Sequence, residues 1–209
     1  MAKEHTITVC DFETGGLSWK ENPITEVGML NFDAKTLEVN WEFQTYVKPY
    51  GGKVINPIFY EKTTVTPQDV ENGMEVELVV KEITRHLKDA KRPGRGNSGA
   101  TIFSGHNFSG FDIHFYLEMM NVVGKKPYEH LSTEIMDTLP MSRMFWANDN
   151  IDKYNLGACC KRIGYDLVGA HGAMADVRAN FELLKHLIQN NNNNGLASVK
   201  SVVRKEGGK

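Results

Sequence analysis

The order in which strand-like and helix-like segments follow one another is the feature that most constrains the fold of this chain. Alternation of side chains with a period of two predicts a strand over residues 6–13. Residues 24–32 and 37–47 have the pattern of two more strands, joined through residues 33–35 by a connection short enough for a hairpin. The first quarter of the chain is therefore predicted to be β-structure.

Helices and strands alternate in the remainder of the chain. Apolar residues recur at helical spacing over residues 76–87, 111–123 and 173–188, and short strands are predicted at residues 100–104 and 135–138. Strands clustered first, with an alternation afterwards, predict an α/β or α+β domain with one mixed sheet. Of the two we expect α/β, with the five predicted strands in a central mixed sheet flanked by helices.

The chain length of 209 residues suits one domain with a sizeable core. We expect this domain to span residues 1–189, and residues 190–209 to form an Asn-rich linker and a basic C-terminal tail. The net charge of −2 does not indicate a partner. A basic cluster within residues 81–95 is compatible with binding phosphates and equally with being a solvated face.

The predicted location is the cytoplasm. The first residues contain no apolar signal region, and no apolar stretch is long enough to cross a bilayer, so no contact with a membrane is expected. Three cysteines are an odd number, which favours a reducing compartment over a disulfide framework. Cys159 and Cys160 lack the spaced partners of a zinc site and are predicted to pack within a helix.

Two acids end the first strand. Asp11 and Glu13 are two residues apart, so their side chains project from the same face with Cα atoms about 6.6 Å apart. They continue an apolar face, where a carboxylate is costly unless a cation accompanies it. Carboxylates at this spacing can converge on a pair of divalent ions. The alternative is that both acids emerge at the solvated edge of the sheet.

Two further segments place polar residues where a strand or loop passes into a helix. Asp112 falls at the start of the helix after residues 105–111, where it either complements the helix dipole or supplies a third metal ligand. His106 and Asn107, just before it, either cap the helix or bind a substrate phosphate. Asp176 lies early in the last long helix, beside its packing stripe, and His171 on the glycine-flanked loop before it can accept a proton near neutral pH.

Taken together, the residues resemble the three sequence motifs of the DEDDh (DnaQ-like) 3′→5′ exonucleases. The matching segments are Asp11-Phe12-Glu13-Thr14-Gly15-Gly16-Leu17, His106-Asn107 leading to Phe111-Asp112, and His171 followed by Asp176. The resemblance covers residues 6–187. It implies a ribonuclease H-like fold.

The resemblance also implies the chemistry of the site. Asp11, Glu13, Asp112 and Asp176 would bind two Mg²⁺ or Mn²⁺ ions, and His171 would act as the general base that activates water. The product would be a nucleoside 5′-monophosphate. Substrate contacts would come from Thr14, Gly15, Gly16, Leu17, His106 and Asn107, with Leu17 wedged against the terminal base. The expected substrate is a nucleic acid 3′ end, with single-stranded DNA favoured over RNA, and a polymerase or a repair protein is a candidate partner.

The chain departs from the family pattern at three places. Position 15 is glycine where the family more often has threonine, and one additional residue separates Asn107 from Asp112. Residues 62–66 fall where many members have a hydrophobic-His-Gly pattern that reaches the 3′ nucleotide. Two alternatives to a DNA exonuclease remain open: an exoribonuclease that trims RNA 3′ ends, and an inactive module that binds nucleic acid or a polymerase.

Overall fold

One mixed sheet organises the part of the chain that the computed structural model describes, which is residues 6–90, 100–168 and 171–190. The five strands are β1 (Thr6–Thr14), β2 (Ile24–Asp33), β3 (Val39–Tyr46), β4 (Thr101–Gly105) and β5 (Leu131–Asp137). They lie in the order β3-β2-β1-β4-β5. The first three pair antiparallel, whereas β4 pairs parallel with both β1 and β5. The predicted mixed five-stranded sheet is confirmed.

Six α-helices accompany this sheet in the described residues: α1 (Pro67–Glu71), α2 (Val76–Ala90), α3 (Asp112–Val122), α4 (Thr138–Phe145), α5 (Leu156–Arg162) and α6 (Ala173–Asn190). The three helices predicted from apolar spacing are confirmed. Between β3 and α2 the chain forms a 3₁₀ turn, Pro57–Phe59, and Pro67 begins α1.

The central strand β1 is buried on both faces. Ile7 and Val9 pack with residues of α6, including Val177. Cys10 and Phe12, on the other face, belong to a cluster that contains residues of α2 and α3. The alternation in β1 therefore separates two halves of the core, and Asp11 and Glu13 continue the face that α6 covers.

The edge strand β5 is longer than predicted. It begins at Leu131, four residues before the predicted start, and residues 133 and 134 within it are exposed. An edge strand with solvent on one side tolerates polar side chains, so its sequence lacks the apolar pattern of a buried strand. The predicted strand also included Thr138, which instead begins α4.

Several predictions fall on segments that the structure does not describe. The polar loop at residues 91–99, part of the glycine-rich segment at 169–170 and the tail at 191–209 lie outside the described residues. Where the basic cluster is described, Arg85 forms exposed ion pairs with Glu82 and Asp89. Cys159 and Cys160 are buried in α5, as predicted. None of the described helices is both long and apolar enough for a membrane span.

Candidate active site

Three carboxylates from β1 and α6 come together at the end of the central strand. Asp11 and Glu13 lie at the C-terminal end of β1, and Asp176 lies in the first turn of α6. One carboxylate oxygen from each lies within 4.8 Å of the other two. Since α6 packs along the apolar face that these two strand acids continue, packing of the helix brings its acid to the same point. The expected meeting of the first strand with the last long helix is present.

Asp112 reaches the same end of β1 on another element. It is the first residue of α3 and only 6% exposed. Its Oδ1 accepts a hydrogen bond from the backbone N–H of Phe12 at 3.2 Å. The charge of Asp112 also raises the pKa of Asp11, second in effect only to burial. The fourth predicted acid is therefore beside the other three, directly joined to the strand that carries two of them.

Burial opposes ionisation of all four acids, and repulsion by the other acids adds to this effect at Asp11 and Glu13. Burial, followed by the charges of Asp112, Asp176 and Glu13, raises the pKa of Asp11 well above its ordinary value. Burial raises the pKa of Glu13 to about 8, with Asp176 as the next cause. Burial also raises the pKa of Asp112 to about 7 and is the main cause that raises the pKa of Asp176.

This carboxylate set fits divalent cations. Asp176 Oδ1 is buried and accepts no hydrogen bond from any described residue. A buried carboxylate oxygen without a partner is costly, and a cation supplies that partner. Clustered oxygen ligands with several negative charges are what Mg²⁺ and Mn²⁺ prefer over softer metals. The site is therefore that of a divalent-metal-dependent protein.

The acid cluster predicts an unusual pH dependence of stability for the metal-free protein. Where folding raises the pKa of an acid, the folded protein binds more protons than the unfolded chain, so the free energy of unfolding falls as pH rises. The interval runs from about pH 4, where acids of the unfolded chain titrate, to about 8 for Glu13. We expect the Tm in EDTA to fall between pH 5 and 8 relative to that of an Asp11→Asn variant.

The variant serves as the control because other groups also titrate in this interval. Burial lowers the pKa of His86 and of His106, which makes stability rise with pH near 6 in both proteins alike. Thermal unfolding of both proteins across this pH range, with and without Mg²⁺, measures the difference. A wild-type Tm that rises in parallel with that of the variant in EDTA would contradict the assigned charge repulsion.

His171 lies beside the acids in a constrained loop. Its φ of 70° is in the left-handed region, which is uncommon for a residue with a side chain. Two backbone hydrogen bonds hold it there: its N–H donates to Asp176 Oδ2 at 3.4 Å, and its carbonyl accepts from the N–H of Thr64 at 2.8 Å. The side chain is exposed and lines the same cleft as Glu13. The imidazole is therefore positioned where substrate can reach it.

Glu26 supports the site, although it was not among the predicted site residues. It lies on β2 directly opposite Glu13 and is 1% exposed. Its Oε2 accepts from the N–H of Ala173 at 3.1 Å, and its Oε1 accepts from Gln44 Nε2 at 2.5 Å. Glu26 thereby fixes the first residue of α6, between His171 and Asp176. The available sequence signal was an acid inside a strand whose residues are mostly apolar.

Both ring nitrogens of His106 have partners within the protein, so neither is free for the predicted substrate contact. Its Nδ1 lies 3.0 Å from Thr138 Oγ1, and its Nε2 lies 2.7 Å from the carbonyl oxygen of Tyr154. These contacts join the end of β4 to α4 and to the loop before α5. We therefore assign His106 a structural role, which the sequence could not show because both partners are more than 30 residues away.

Asp137 organises the turn that precedes Asp112. Its carboxylate accepts hydrogen bonds from the N–H groups of Asn107 at 2.9 Å and Ser109 at 3.0 Å, and from the Ser109 hydroxyl. Asn107 has a left-handed φ of 63°, and the next three residues form a 3₁₀ turn, Phe108–Gly110. This turn contains the additional residue of the second motif. Asn107 is exposed, and its substrate contact stays a prediction.

The turn after β1 is braced rather than open. Gly15 donates its N–H to the carbonyl of Pro23 at 2.8 Å, and its own carbonyl accepts from the N–H of Asn56 at 2.8 Å. A Cβ at Gly16 would come within 2.2 Å of the Asn22 side chain. Glycine at these positions is thus required by close packing within the protein. Leu17 projects outward from the turn and is 76% exposed, as a wedge would be.

A cleft of about 540 Å³ opens beside Glu13 and His171. Its lining includes four large apolar side chains, those of Phe12, Leu17, Phe59 and Phe111, and Thr14 also lines it. Of these residues, Phe12, Phe59 and Phe111 were not predicted as site residues. Phe12 lies on β1, Phe59 ends the 3₁₀ turn Pro57–Phe59, and Phe111 directly precedes α3. The cleft combines apolar walls with an acidic end, as a site for a base and its sugar-phosphate requires.

The exonuclease family model RNase_T matches residues 8–184. A DNA polymerase III PolC-type protein from Clostridium perfringens is 29% identical over 178 residues, covering 85% of this chain and 11% of that protein. The DNA polymerase III subunit epsilon of Treponema pallidum is 26% identical over 186 residues, covering 88% of this chain and 78% of that subunit.

Solved structures with the same architecture include Exonuclease I of E. coli in complex with a dT13 oligonucleotide. It superposes with a TM-score of 0.74 at 20% identity, covering 90% of this chain and 42% of that one. Exonuclease I from Methylocaldum szegediense gives a TM-score of 0.74 at 20% identity, covering 93% and 42%. The likeness confirms the ribonuclease H-like fold. The chain spans less than half of either Exonuclease I, and 11% of the PolC-type protein.

Proposed function

This chain belongs to the RNase_T exonuclease family, the DEDDh 3′→5′ exonucleases of the ribonuclease H-like superfamily, and we propose that it hydrolyses the 3′-terminal phosphodiester bond of a nucleic acid strand. The product is a nucleoside 5′-monophosphate. We propose that residues 1–189 form the domain that carries this activity.

The observation that carries the proposal is the convergence of acids beside an open cleft. Asp11, Glu13 and Asp176 offer oxygens within 4.8 Å of one another, with Asp112 hydrogen-bonded to the same strand. His171 lines the cleft together with Glu13. A family relative that only binds nucleic acid would have no need for all five groups in one place. The arrangement supports an enzyme over an inactive binding module.

The four acids would hold two divalent cations, Mg²⁺ or Mn²⁺. When bound, such ions supply positive charge that makes an attacking water more acidic and stabilises the departing 3′ oxygen. The protein supplies a rigid frame for the ligands, since two acids lie on a buried strand and two in the first turns of helices. That frame fixes the in-line geometry on which phosphoryl transfer depends.

His171 would accept the proton of the attacking water at its imidazole. It is exposed toward the cleft, and its backbone is fixed through Asp176 and Thr64. Leu17, exposed at the cleft, would separate the terminal base from its neighbour. The phenylalanine side chains would pack against that base. The position of these side chains in one cleft with Glu13 supports the proposed roles.

We propose single-stranded DNA as the substrate. The relatives named above are a DNA polymerase III PolC-type protein and a DNA polymerase III subunit epsilon, and one of the similar structures is bound to a dT13 oligonucleotide. Those names also make a DNA polymerase a candidate partner. Discrimination of a 2′-hydroxyl from a hydrogen depends on the shape of the protein around the sugar, and an exoribonuclease is the second candidate function.

Activity assays on matched strands test this proposal. With Mg²⁺ or Mn²⁺, a 3′-labelled DNA single strand should release labelled nucleoside 5′-monophosphate as the first product, and EDTA should stop the release. An RNA strand of the same sequence should be degraded more slowly. Release that persists in EDTA would contradict the metal mechanism, and faster release from RNA would favour the exoribonuclease. Binding without turnover in any divalent metal would favour the inactive module.

A further inference from the structure

One wall of the cleft is a short segment anchored next to His171. The segment lines the cleft with Phe59, Lys62 and Thr63, among other residues. At one end, the Asn56 side chain caps the 3₁₀ turn Pro57–Phe59 by accepting from the N–H of Ile58 at 3.2 Å. At the other end, Thr64 donates its N–H to the carbonyl of His171 at 2.8 Å. The wall therefore has a defined position relative to the reacting groups.

Lys62 is a free cation on this wall. Its side chain is exposed, and its Nζ lies 5.8 Å from the centroid of the Phe59 ring. The ion pairs found within the described ranges do not include it. Lys53 shows the contrast: it is buried, pairs with Glu118 at 3.3 Å and donates to two backbone carbonyls. Lys53 is used by the fold, whereas Lys62 is available to a ligand.

The charges around the cleft create a need for such a cation. Among the described residues that line it, Lys62 alone carries a permanent positive charge, while Glu13 and Glu61 are acidic. A nucleic acid strand brings one negative charge with each phosphate. The four acids would hold divalent cations, whose charge would balance that of the phosphate that is cleaved. The next phosphate along the strand would face an acidic cleft unless a basic side chain met it.

We propose that Lys62 binds a backbone phosphate next to the bond that is cleaved, and that it thereby contributes to affinity for the 3′-terminal segment of the strand. This inference rests on the proposed function. An ionic contact between Lys62 and a phosphate of the nucleic acid would add to recognition of its 3′ end.

The salt dependence of binding tests for this contact. A protein loses about 0.7 from the slope of log affinity against log salt for each phosphate contact that it loses on a single strand. We expect the slope for Lys62→Gln to be smaller by this amount. Over one decade of salt concentration, the difference in slope amounts to about fivefold weaker binding by the variant near 0.1 M salt. Lys62→Arg should retain the slope. Fluorescence anisotropy with a labelled oligo-dT, in a His171→Ala background that preserves the strand, provides the measurement.

Lys35→Gln is the matched control. Lys35 is exposed in the β2–β3 turn, at the end of the sheet where Thr6 pairs with Asp33, about 23 Å along β1 from Glu13. Its removal changes net charge equally and should leave the slope unchanged. A trinucleotide should show the same Lys62 effect as a longer strand, since the contact is near the 3′ end.

The outcomes separate this inference from the proposed function. If the background protein binds the strand and Lys62→Gln keeps its slope, the Lys62 contact is overturned and the exonuclease proposal stands. An equal loss in Lys35→Gln would also overturn it, because the effect would then be one of net charge. If neither the background protein binds the strand nor the wild-type protein degrades it, the proposed function itself fails.

Discussion

Asp11→Ala is expected to abolish nucleotide release, a loss of at least about 10³-fold, while the chain remains folded. Asp11 is the acid on which the charges of Asp112, Asp176 and Glu13 all act, so it lies at the centre of the cluster. Its loss removes a ligand from the divalent metal site. In EDTA the variant should unfold at a higher temperature than the wild type, because it lacks one buried and repelled carboxylate.

Product release in Mg²⁺ and thermal unfolding in EDTA measure these two effects. Asp89→Ala is the control, since Asp89 is exposed on α2 and its ion pair within the described part of the chain, with Arg85, is exposed too. Asp89 precedes Ala90, whose carbonyl accepts a hydrogen bond from Thr6 Oγ1. Thr6 begins β1, so Asp89 lies near the end of that strand opposite to Glu13. This variant should keep wild-type activity. Near-normal release by Asp11→Ala would remove Asp11 from the metal site.

His171→Ala is expected to lower kcat by about 10² to 10⁴, the effect of losing a general base, with little change in KM. The backbone hydrogen bonds to Asp176 and Thr64 do not use the imidazole, so the loop and the acids should keep their positions. The expected loss therefore falls on the chemical step. Steady-state kinetics on a DNA single strand separate kcat from KM.

His186→Ala is the control for this variant. His186 lies on α6, about 20 Å along the helix from its first residue, Ala173, at 1.5 Å per residue, and its ring contacts Phe145. We expect wild-type kcat from it. If His171→Ala raised KM while leaving kcat unchanged, the imidazole would be a substrate contact rather than the base.

The site depends on residues whose role is to hold the reacting groups. Glu26 fixes Ala173 at the start of α6, and Asp137 fixes the turn before Asp112. Both are nearly buried carboxylates that accept backbone N–H donors. Glu26 therefore connects α6, which carries Asp176, to β2. Asp137 connects β5 to the turn before α3.

Local pattern was enough to predict most of the elements. The alternation in β1 and the apolar spacing in α6 predicted these elements correctly, because the faces that carry each pattern are buried. The start of β5 was missed because its polar residues face solvent at the sheet edge. An apolar pattern arises where one face of an element is buried. A strand whose side chains are partly exposed to solvent therefore lacks it.

The sequence by itself determined the five-stranded α/β architecture, the order of the motifs and the identity of the candidate site residues, because these depend on periodicity and on short spacings along the chain. Only the tertiary structure decided which side chains meet. The convergence of Asp176 on Asp11 and Glu13, the hydrogen bonds that occupy His106 and the attachment of α6 to Glu26 join residues far apart in sequence. Such contacts depend on how helices pack across the sheet, which a local pattern does not contain.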